Sequence, residues 1–184
     1  PDEQNNIQSS ELNDTVANPL AMNMYMLGYD NNKNVLAVNR AVKENLKTYL
    51  GQYRMLTDSI NFRDAYIINI GVDFDIIPLP NYNANEVLLG CVNALKKFFE
   101  IDKWQINQPI VFSDMFNTLL AVKGIQTVTS IRIKNLNDET LGYSNIAYDI
   151  DQATRRGIVY PSLDPAIFEI KYPNGDIKGR IATF

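Results

Sequence analysis

Histidine is absent from this 184-residue chain, and cysteine occurs once, at position 91. Without histidine the chain cannot build a Ser-His-Asp or Cys-His catalytic arrangement, a histidine metal site or the usual general base near neutral pH. A single cysteine excludes an internal disulfide and a zinc site made of several cysteines. Any catalysis by this chain alone would depend on carboxylate, lysine or tyrosine side chains.

Long apolar runs and an excess of basic residues are also missing. No segment approaches the roughly 20 apolar residues that span a bilayer, and no signal-peptide pattern opens the chain. Lys and Arg number 17 against 21 Asp and Glu, for a formal charge of −4 and a pI near 4.8. This balance argues against an extended basic surface, so we expect neither a membrane nor a nucleic-acid partner. Because the chain begins at Pro1 and not at Met, we expect it to be part of a longer protein.

The composition that remains, 46% hydrophobic and 21% charged, is that of a globular protein with a sizeable core. Residues 1–18 are polar and acidic, which predicts a flexible arm or linker. We divide the remainder into an appendage of strand and helix at 19–62, a core at 63–136, and C-terminal strands at 137–184 that complete the sheet.

The chain is organised around Asp64–Pro80, where apolar residues occupy every second position. The apolar positions are Ile68, Ile70, Val72, Phe74 and Ile76, and the positions between them are Asn69, Gly71, Asp73 and Asp75. Period-two alternation predicts one long strand with a buried face and a solvent-exposed face. Gly71 at its centre predicts a bend or a bulge.

Three helices are predicted around this strand. Asn39 caps a helix over 40–56, whose apolar stripe of Val42, Leu46, Leu50 and Tyr53 is expected to pack against the sheet or a second helix. A capping box of Asn83 and Glu86 opens the next helix, which runs to Phe99 with an inner stripe of Leu88, Val92, Leu95 and Phe99. Ser113 is expected to cap a third, shorter helix through Lys123, with Gly124 as its stop.

Strands are predicted again at 125–134, 157–160, 166–172 and 176–182, and Asn174-Gly175 predicts a hairpin turn between the last two. The fold class that follows is α+β: a mixed or antiparallel sheet with two to three helices packed on one face. Its core is strand, helix, helix, strand, completed by a C-terminal hairpin.

Few groups suggest chemistry. Asp73 and Asp75 have the spacing of a carboxylate pair, but surface solubility or pairing with cations explains them more simply. Asp30, Asn32 and Asn34 imitate the start of a calcium loop that lacks its glycine and its glutamate, so a turn is predicted instead. Cys91, without a histidine partner, is predicted to be a small core residue. We therefore expect no catalytic residues, no metal and no cofactor.

Several long stretches carry a family resemblance. They include NPLAMNMYMLGYD, VKENLKTYLGQYRMLTDSIN with RDAYIINIGVDFDI, NEVLLGCVNALKKFFEIDKWQINQPI, VKGIQTVTSIRI and YPSLDPAIFEIKYPNGDIKGR. The chain resembles the C-terminal part of a baseplate wedge protein of T-even-like contractile-tailed bacteriophages. The part after Asp64 also resembles the terminal module of the broader baseplate-J-like family. The resemblance covers about residues 18–184, and residues 1–17 match nothing in it.

The resemblance implies a structural virion protein of the tail baseplate, assembled in the host cytoplasm. Its partners would be a second copy of itself and other baseplate wedge proteins, joined into a ring around the hub, with no small-molecule substrate. Tyrosine and tryptophan serve protein interfaces but also fill the rims of cores. The residues expected at such a contact surface are Trp104, Tyr143, Tyr148, Tyr160 and Phe168. Two other functions stay open: a peptide-binding module that accepts a partner strand, and a hydrolase that uses Asp73 and Asp75.

Overall fold

The computed structural model describes residues 21–53 and 59–182 and has mixed α and β structure, which confirms the α+β class. The predicted arm at 1–18 lies outside these residues. The strands are β1 (Ala21–Met26), β2 (Gly28–Tyr29), β3 (Val35–Leu36), β4 (Ser59–Asp64), β5 (Tyr66–Pro78), β6 (Ile110–Val111), β7 (Ile125–Asn135), β8 (Thr154–Arg155), β9 (Ile158–Val159), β10 (Ala166–Glu169) and β11 (Ile177–Ile181). The helices are α1 (Arg40–Gly51), α2 (Ala84–Phe98), α3 (Phe112–Leu120), α4 (Ile150–Ala153) and α5 (Pro173–Asp176).

The long strand β5 is the centre of the main sheet. It pairs antiparallel with β7 and parallel with β11, and Val72 faces Ile133 on one side and Ile177 on the other. The strand β10 pairs in parallel with the first residues of β5. The five alternating apolar side chains of β5 are at most 1% exposed, which confirms the predicted buried face. Helix α2 packs over β11 and α3 over β7, so both helices cover that face.

The opposite face of β5 is only partly exposed, which corrects the sequence prediction. Asp73 and Asp75 reach the surface, but Asn69 and Gly71 are buried. Gly71 does not mark a bulge either: its pairing with Lys134 is regular, and the register shifts fall between Asp75 and Ile76 and between Ile77 and Pro78. A Cβ at Gly71 would lie 3.2–3.3 Å from Lys134, Leu136 and the main-chain oxygen of Asp176. Glycine therefore serves close packing at this position.

Helix α2 begins where predicted, although its details differ. The Asn83 side chain accepts a hydrogen bond from Asn85 N at 3.0 Å, and not from the residue 86 amide of a capping box. The fully buried line runs through Val87, Cys91 and Leu95, with Leu88 and Val92 half-buried beside it. Cys91 is a buried core residue, as predicted, and its burial raises the pKa of the thiol to about 11.

Helix α3 follows a strand directly, so the predicted cap at Ser113 is wrong. Val111 pairs with Ile158 in the small sheet β6-β9-β8, and Phe112 N donates to the carbonyl of Gly157 at 2.9 Å. Ser113 is thus already inside the helix and exposed. The helix ends at Leu120, three residues before the predicted end at Lys123, and Gly124, with a φ of 91°, lies in the turn that leads to β7.

The predicted C-terminal hairpin does not form. Both β10 and β11 run parallel to β5, and the short helix α5 carries the chain between them. The buried Asp176 holds this turn: its carboxylate accepts from Tyr172 N at 2.8 Å and from the Tyr143 hydroxyl at 2.6 Å. Asn174-Gly175 therefore lies within a helical turn whose geometry depends on Asp176.

Candidate interaction surface

Residues 21–53 and 59–64 contain a βαβ unit beside the main sheet. Strands β1 and β4 pair in parallel from Ala21 with Ser59 to Met26 with Asp64, and α1 lies between them in the chain. Among the described residues, each of these two strands pairs only with the other. Parallel sheets usually have several strands and are covered on both faces. A sheet of two parallel strands is thus incomplete by itself.

Helix α1 leaves its apolar side chains largely uncovered. Asn39 caps it, as predicted, because its side chain accepts a hydrogen bond from Ala41 N at 3.0 Å. The helix ends at Gly51, and the last predicted residues, 54–56, lie outside the described part. The described residues bury no side chain of α1. Val42 is 53% exposed and Tyr53, just beyond the helix, 73% exposed, whereas Leu46 and Leu50 are half-buried, so the predicted stripe packs against the described residues only in part.

The physical reason is that the sheet beside α1 has only two strands among the described residues, β1 and β4, which is too few to cover the helix. Its described contacts with other elements are mainly with β4, where Lys43 pairs with Asp64 at 2.5 Å. Tyr49 and Tyr53 contact each other instead, with ring centroids 5.4 Å apart. Exposed apolar side chains on an amphipathic helix are typical of surfaces that bind another protein. We call the exposed edges of β1 and β4, together with α1, the appendage surface.

The appendage is tied to the core by the segment around β3. Val35 is buried, and its amide donates to Glu169 Oε1 at 2.5 Å. Lys33 forms an ion pair with Asp102 at 2.5 Å, which adds little because both side chains are at least half exposed. The buried contact at Val35 therefore fixes the position of this segment against β10.

Glu169 belongs to a buried hydrogen-bond network that the sequence did not reveal. Its second oxygen accepts from Asn69 Nδ2 at 2.7 Å, and Asn69 Oδ1 accepts from Ser144 N at 2.7 Å. Glu169 is 4% exposed and Asn69 1% exposed. The network joins the appendage, β5, β10 and the loop after β7, so it specifies how these segments meet.

Burial raises the pKa of Glu169 above its ordinary value, although the donors Val35 N and Asn69 Nδ2 favour the charged form. The positive charge of nearby Lys171 also lowers the pKa of Glu169, and the negative charge of Asp30 raises it. A raised pKa in the folded state means that the folded protein binds the proton more tightly than the unfolded chain. This contribution to stability is complete below the ordinary pKa of 4.5 and is lost as the pH rises through the folded-state value.

We define the difference as the unfolding free energy of the wild type minus that of Glu169→Gln. We expect this difference to fall as the pH rises from about 4 to 8, because only the wild type titrates at this position. Urea unfolding at several pH values measures it. Asp138→Asn is the control: hydrogen bonds from Thr140 lower the pKa of Asp138, so the difference for this variant should stay nearly constant from about pH 4 to 8 and fall only below the ordinary pKa of 3.8. A Glu169→Gln difference that is flat or rises with pH would contradict the prediction.

The aromatic residues predicted for a contact surface lie mostly in the core. Trp104, Tyr148 and Phe168 are at most 7% exposed, which corrects their expected placement. Tyr143 is half-buried, and Tyr160 is 37% exposed. The structure therefore leaves one of the five, Tyr160, with an exposed side chain.

The buried aromatic residues have partners within the chain. The Trp104 ring stacks on Phe99 with centroids 5.4 Å apart, and its indole N–H donates to Phe98 O at 3.1 Å. The same residue borders a cavity of about 460 Å³ between α2 and α3. Tyr148 packs against Phe168 and donates its hydroxyl hydrogen to the carbonyl of Tyr160 at 2.7 Å. These contacts give three of the five predicted residues a structural role.

No protein-family model matches this chain, and no curated protein matches it. Within residues 21–53 and 59–182, no cluster of three or more acidic, cysteine or histidine side chains is arranged to bind a metal ion. None of the described helices has the length and apolar character needed to cross a membrane.

Proposed function

We propose that this chain is a non-enzymatic assembly module that pairs with a second copy of itself through the appendage surface. The observation that supports the proposal is the incomplete parallel sheet of β1 and β4 beside a helix with no buried side chain. Burying Val42, Met22 and Tyr53, each more than half exposed, would supply the apolar area that the unit lacks in the single chain.

A second copy is a suitable partner because β1 is uncharged along its whole length, AMNMYM, and so does not repel its own copy. Two β1 strands related by a two-fold axis would run antiparallel and produce a four-stranded sheet from two identical halves. Such pairing is isologous, with the same patch buried on both copies. The two copies of α1 would then lie over one continuous sheet.

The family resemblance supports a more specific setting for this module. We propose that it is a structural protein of a phage tail baseplate, contacts other baseplate wedge proteins and uses neither substrate nor cofactor. A pairing surface on a rigid core is compatible with a scaffold subunit that must join neighbours. This part of the proposal depends on the sequence resemblance and has its own test: reconstitution with other wedge proteins of such a phage.

Light scattering of the chain over micromolar to submillimolar concentrations tests the pairing. We expect a dimer, and we expect Val42→Glu to weaken it by about tenfold or more, because a buried unpaired charge at such an interface costs more than ~1.4 kcal/mol. Leu120→Glu on α3, where the leucine is 50% exposed, is the matched control and should leave the dimer unchanged.

A strictly monomeric wild type over the whole concentration range would contradict the pairing. The open edges of β1 and β4 also favour the second candidate, a module that accepts a partner strand. A monomer that binds one peptide segment per chain, with loss of binding in an edge variant such as Asn23→Pro, would replace the first proposal by the second.

A further inference from the structure

The face of the main sheet opposite α2 and α3 is rich in positive charge. It carries Asp73 and Asp75 on β5, with Arg132 and Lys134 on β7 and Lys178 and Arg180 on β11. We call these six residues the cationic face; their four positive and two negative side chains give a formal charge of +2 in a chain of −4. Its sign is thus opposite to that of the whole chain.

Three of the four cations have no partner among the described residues. Lys134 Nζ contacts Asp73 Oδ2 at 2.9 Å, and Ser130 Oγ donates to Asp75 Oδ2 at 2.6 Å. Arg132, Lys178 and Arg180 are exposed, and no hydrogen bond or ion pair joins their side chains to another described residue. As far as residues 21–53 and 59–182 are concerned, two guanidinium groups and one ammonium group are therefore available to an anionic partner.

The strand register fixes the spacing of these cations. Lys178 and Arg132 both face Asp73, from the two sides of β5, and Arg180 faces Asp75. Residues two apart on a strand are separated by about 7 Å, and strands two apart by about 10 Å. The three cations thus form a triangle. Its shorter side, from Lys178 to Arg180, equals the two-residue repeat of an extended polypeptide.

We propose that the cationic face binds an extended acidic polypeptide segment with carboxylates at alternate positions. Successive carboxylates on one side of such a segment are about 7 Å apart, which matches Lys178 and Arg180 along β11. Arginine binds a carboxylate through two parallel hydrogen bonds, so Arg180 and Arg132 supply orientation as well as charge. The surface is distinct from the appendage surface, so its test is independent of dimer formation.

A polypeptide fits this face better than a nucleic acid does. Asp73 and Asp75 lie at its centre, where they repel a continuous row of phosphates. A peptide can place neutral side chains or amide N–H groups over these two carboxylates and its own carboxylates over the cations. Charge complementarity of this alternating kind favours a polypeptide with interspersed polar residues.

Fluorescence anisotropy with the full chain and a labelled peptide of alternating Glu and Ser tests the proposal. We expect binding that weakens with added salt, and no binding of the same peptide with Gln in place of Glu. Arg180→Glu and Arg132→Glu should each weaken binding by about tenfold or more. Lys123→Glu, at an exposed lysine outside the cationic face, changes the net charge equally and should have little effect.

Arg180→Gln, checked by circular dichroism, guards against a folding defect and should also weaken binding. Absent binding of the Glu-Ser peptide, or an equal loss in Lys123→Glu, would overturn the proposal. Tighter binding of a single-stranded DNA of the same charge would also overturn it. A further contradicting result would be an Arg180→Gln variant that self-associates and still binds the peptide. The cations would then serve to prevent the unpaired edge of β11 from pairing with another chain.

Discussion

Replacing Asn69 by alanine is expected to lower the free energy of unfolding by about 2–4 kcal/mol, because two polar groups inside the fold each lose a hydrogen-bond partner. One is the Glu169 carboxylate, which loses the Asn69 Nδ2 donor at 2.7 Å. The other is Ser144 N, which loses the Asn69 Oδ1 acceptor at 2.7 Å. A loss of this size is a large fraction of the roughly 5–15 kcal/mol that stabilise a typical domain.

Chemical denaturation of the wild type and the variant measures this loss. Asn93→Ala is the matched control, because Asn93 is exposed on α2 and alanine favours a helix. The control should change the unfolding free energy by about 0.5 kcal/mol at most. Equal effects of the two substitutions would show that the network around Asn69 adds no net stability.

Leu95→Ala is the second substitution for which we expect a large effect, a loss of about 2–5 kcal/mol. Leu95 is fully buried on α2, and the helix packs over β5 and β11, so truncation leaves a cavity lined by core side chains. The loss has two parts: the transfer free energy of the removed atoms, and the contacts that the surrounding side chains cannot restore. Thermal or urea unfolding gives the value.

Leu89→Ala is a control on the same helix with the same chemical change. Leu89 is 61% exposed, so it loses little apolar burial on truncation. We expect a change of about 0.5 kcal/mol or less. A similar loss for Leu89 and Leu95 would mean that the face of α2 toward the sheet has been assigned incorrectly.

The central strand and its covering helix could be predicted from the sequence because their signals are local. The alternation from Ile68 to Ile76 repeats five times, and the apolar stripe of α2 repeats through its whole length. Period two and period 3.6 are geometric properties of the backbone itself. The location of β7 could also be predicted from a local signal, its β-branched residues.

The buried network could not be predicted because its partners are far apart in the chain. Glu169 and Asn69 are separated by 100 residues. Asn69 lies at a position of β5 where alternation alone suggests an exposed side chain, and Glu169 is a residue type that is rarely buried. Only the parallel pairing of β10 with β5 brings them together, and no local pattern indicates that pairing.

The positions of the residues expected at a contact surface could not be predicted from aromatic composition. Aromatic composition suggested contacts at residues such as Phe168, which the pairing of β10 instead buries. For α1 the periodicity identified the apolar side correctly, but it carries no information on what covers that side. The neighbour must come from elsewhere in the fold or from another molecule, and a hydrophobic pattern is the same in both situations.

The junction between β4 and β5 has a mechanical consequence. A single residue, Ala65, separates the two strands, so a pull on β4 in the direction of the β5 axis reaches β5 with almost no intervening loop. The hydrogen bonds that hold β5 to β7 and β11 run across that axis. They are loaded in shear and share the force, whereas a strand peeled from the side would release its bonds one after another. The appendage can therefore be pulled along this line with the whole central sheet acting as its anchor.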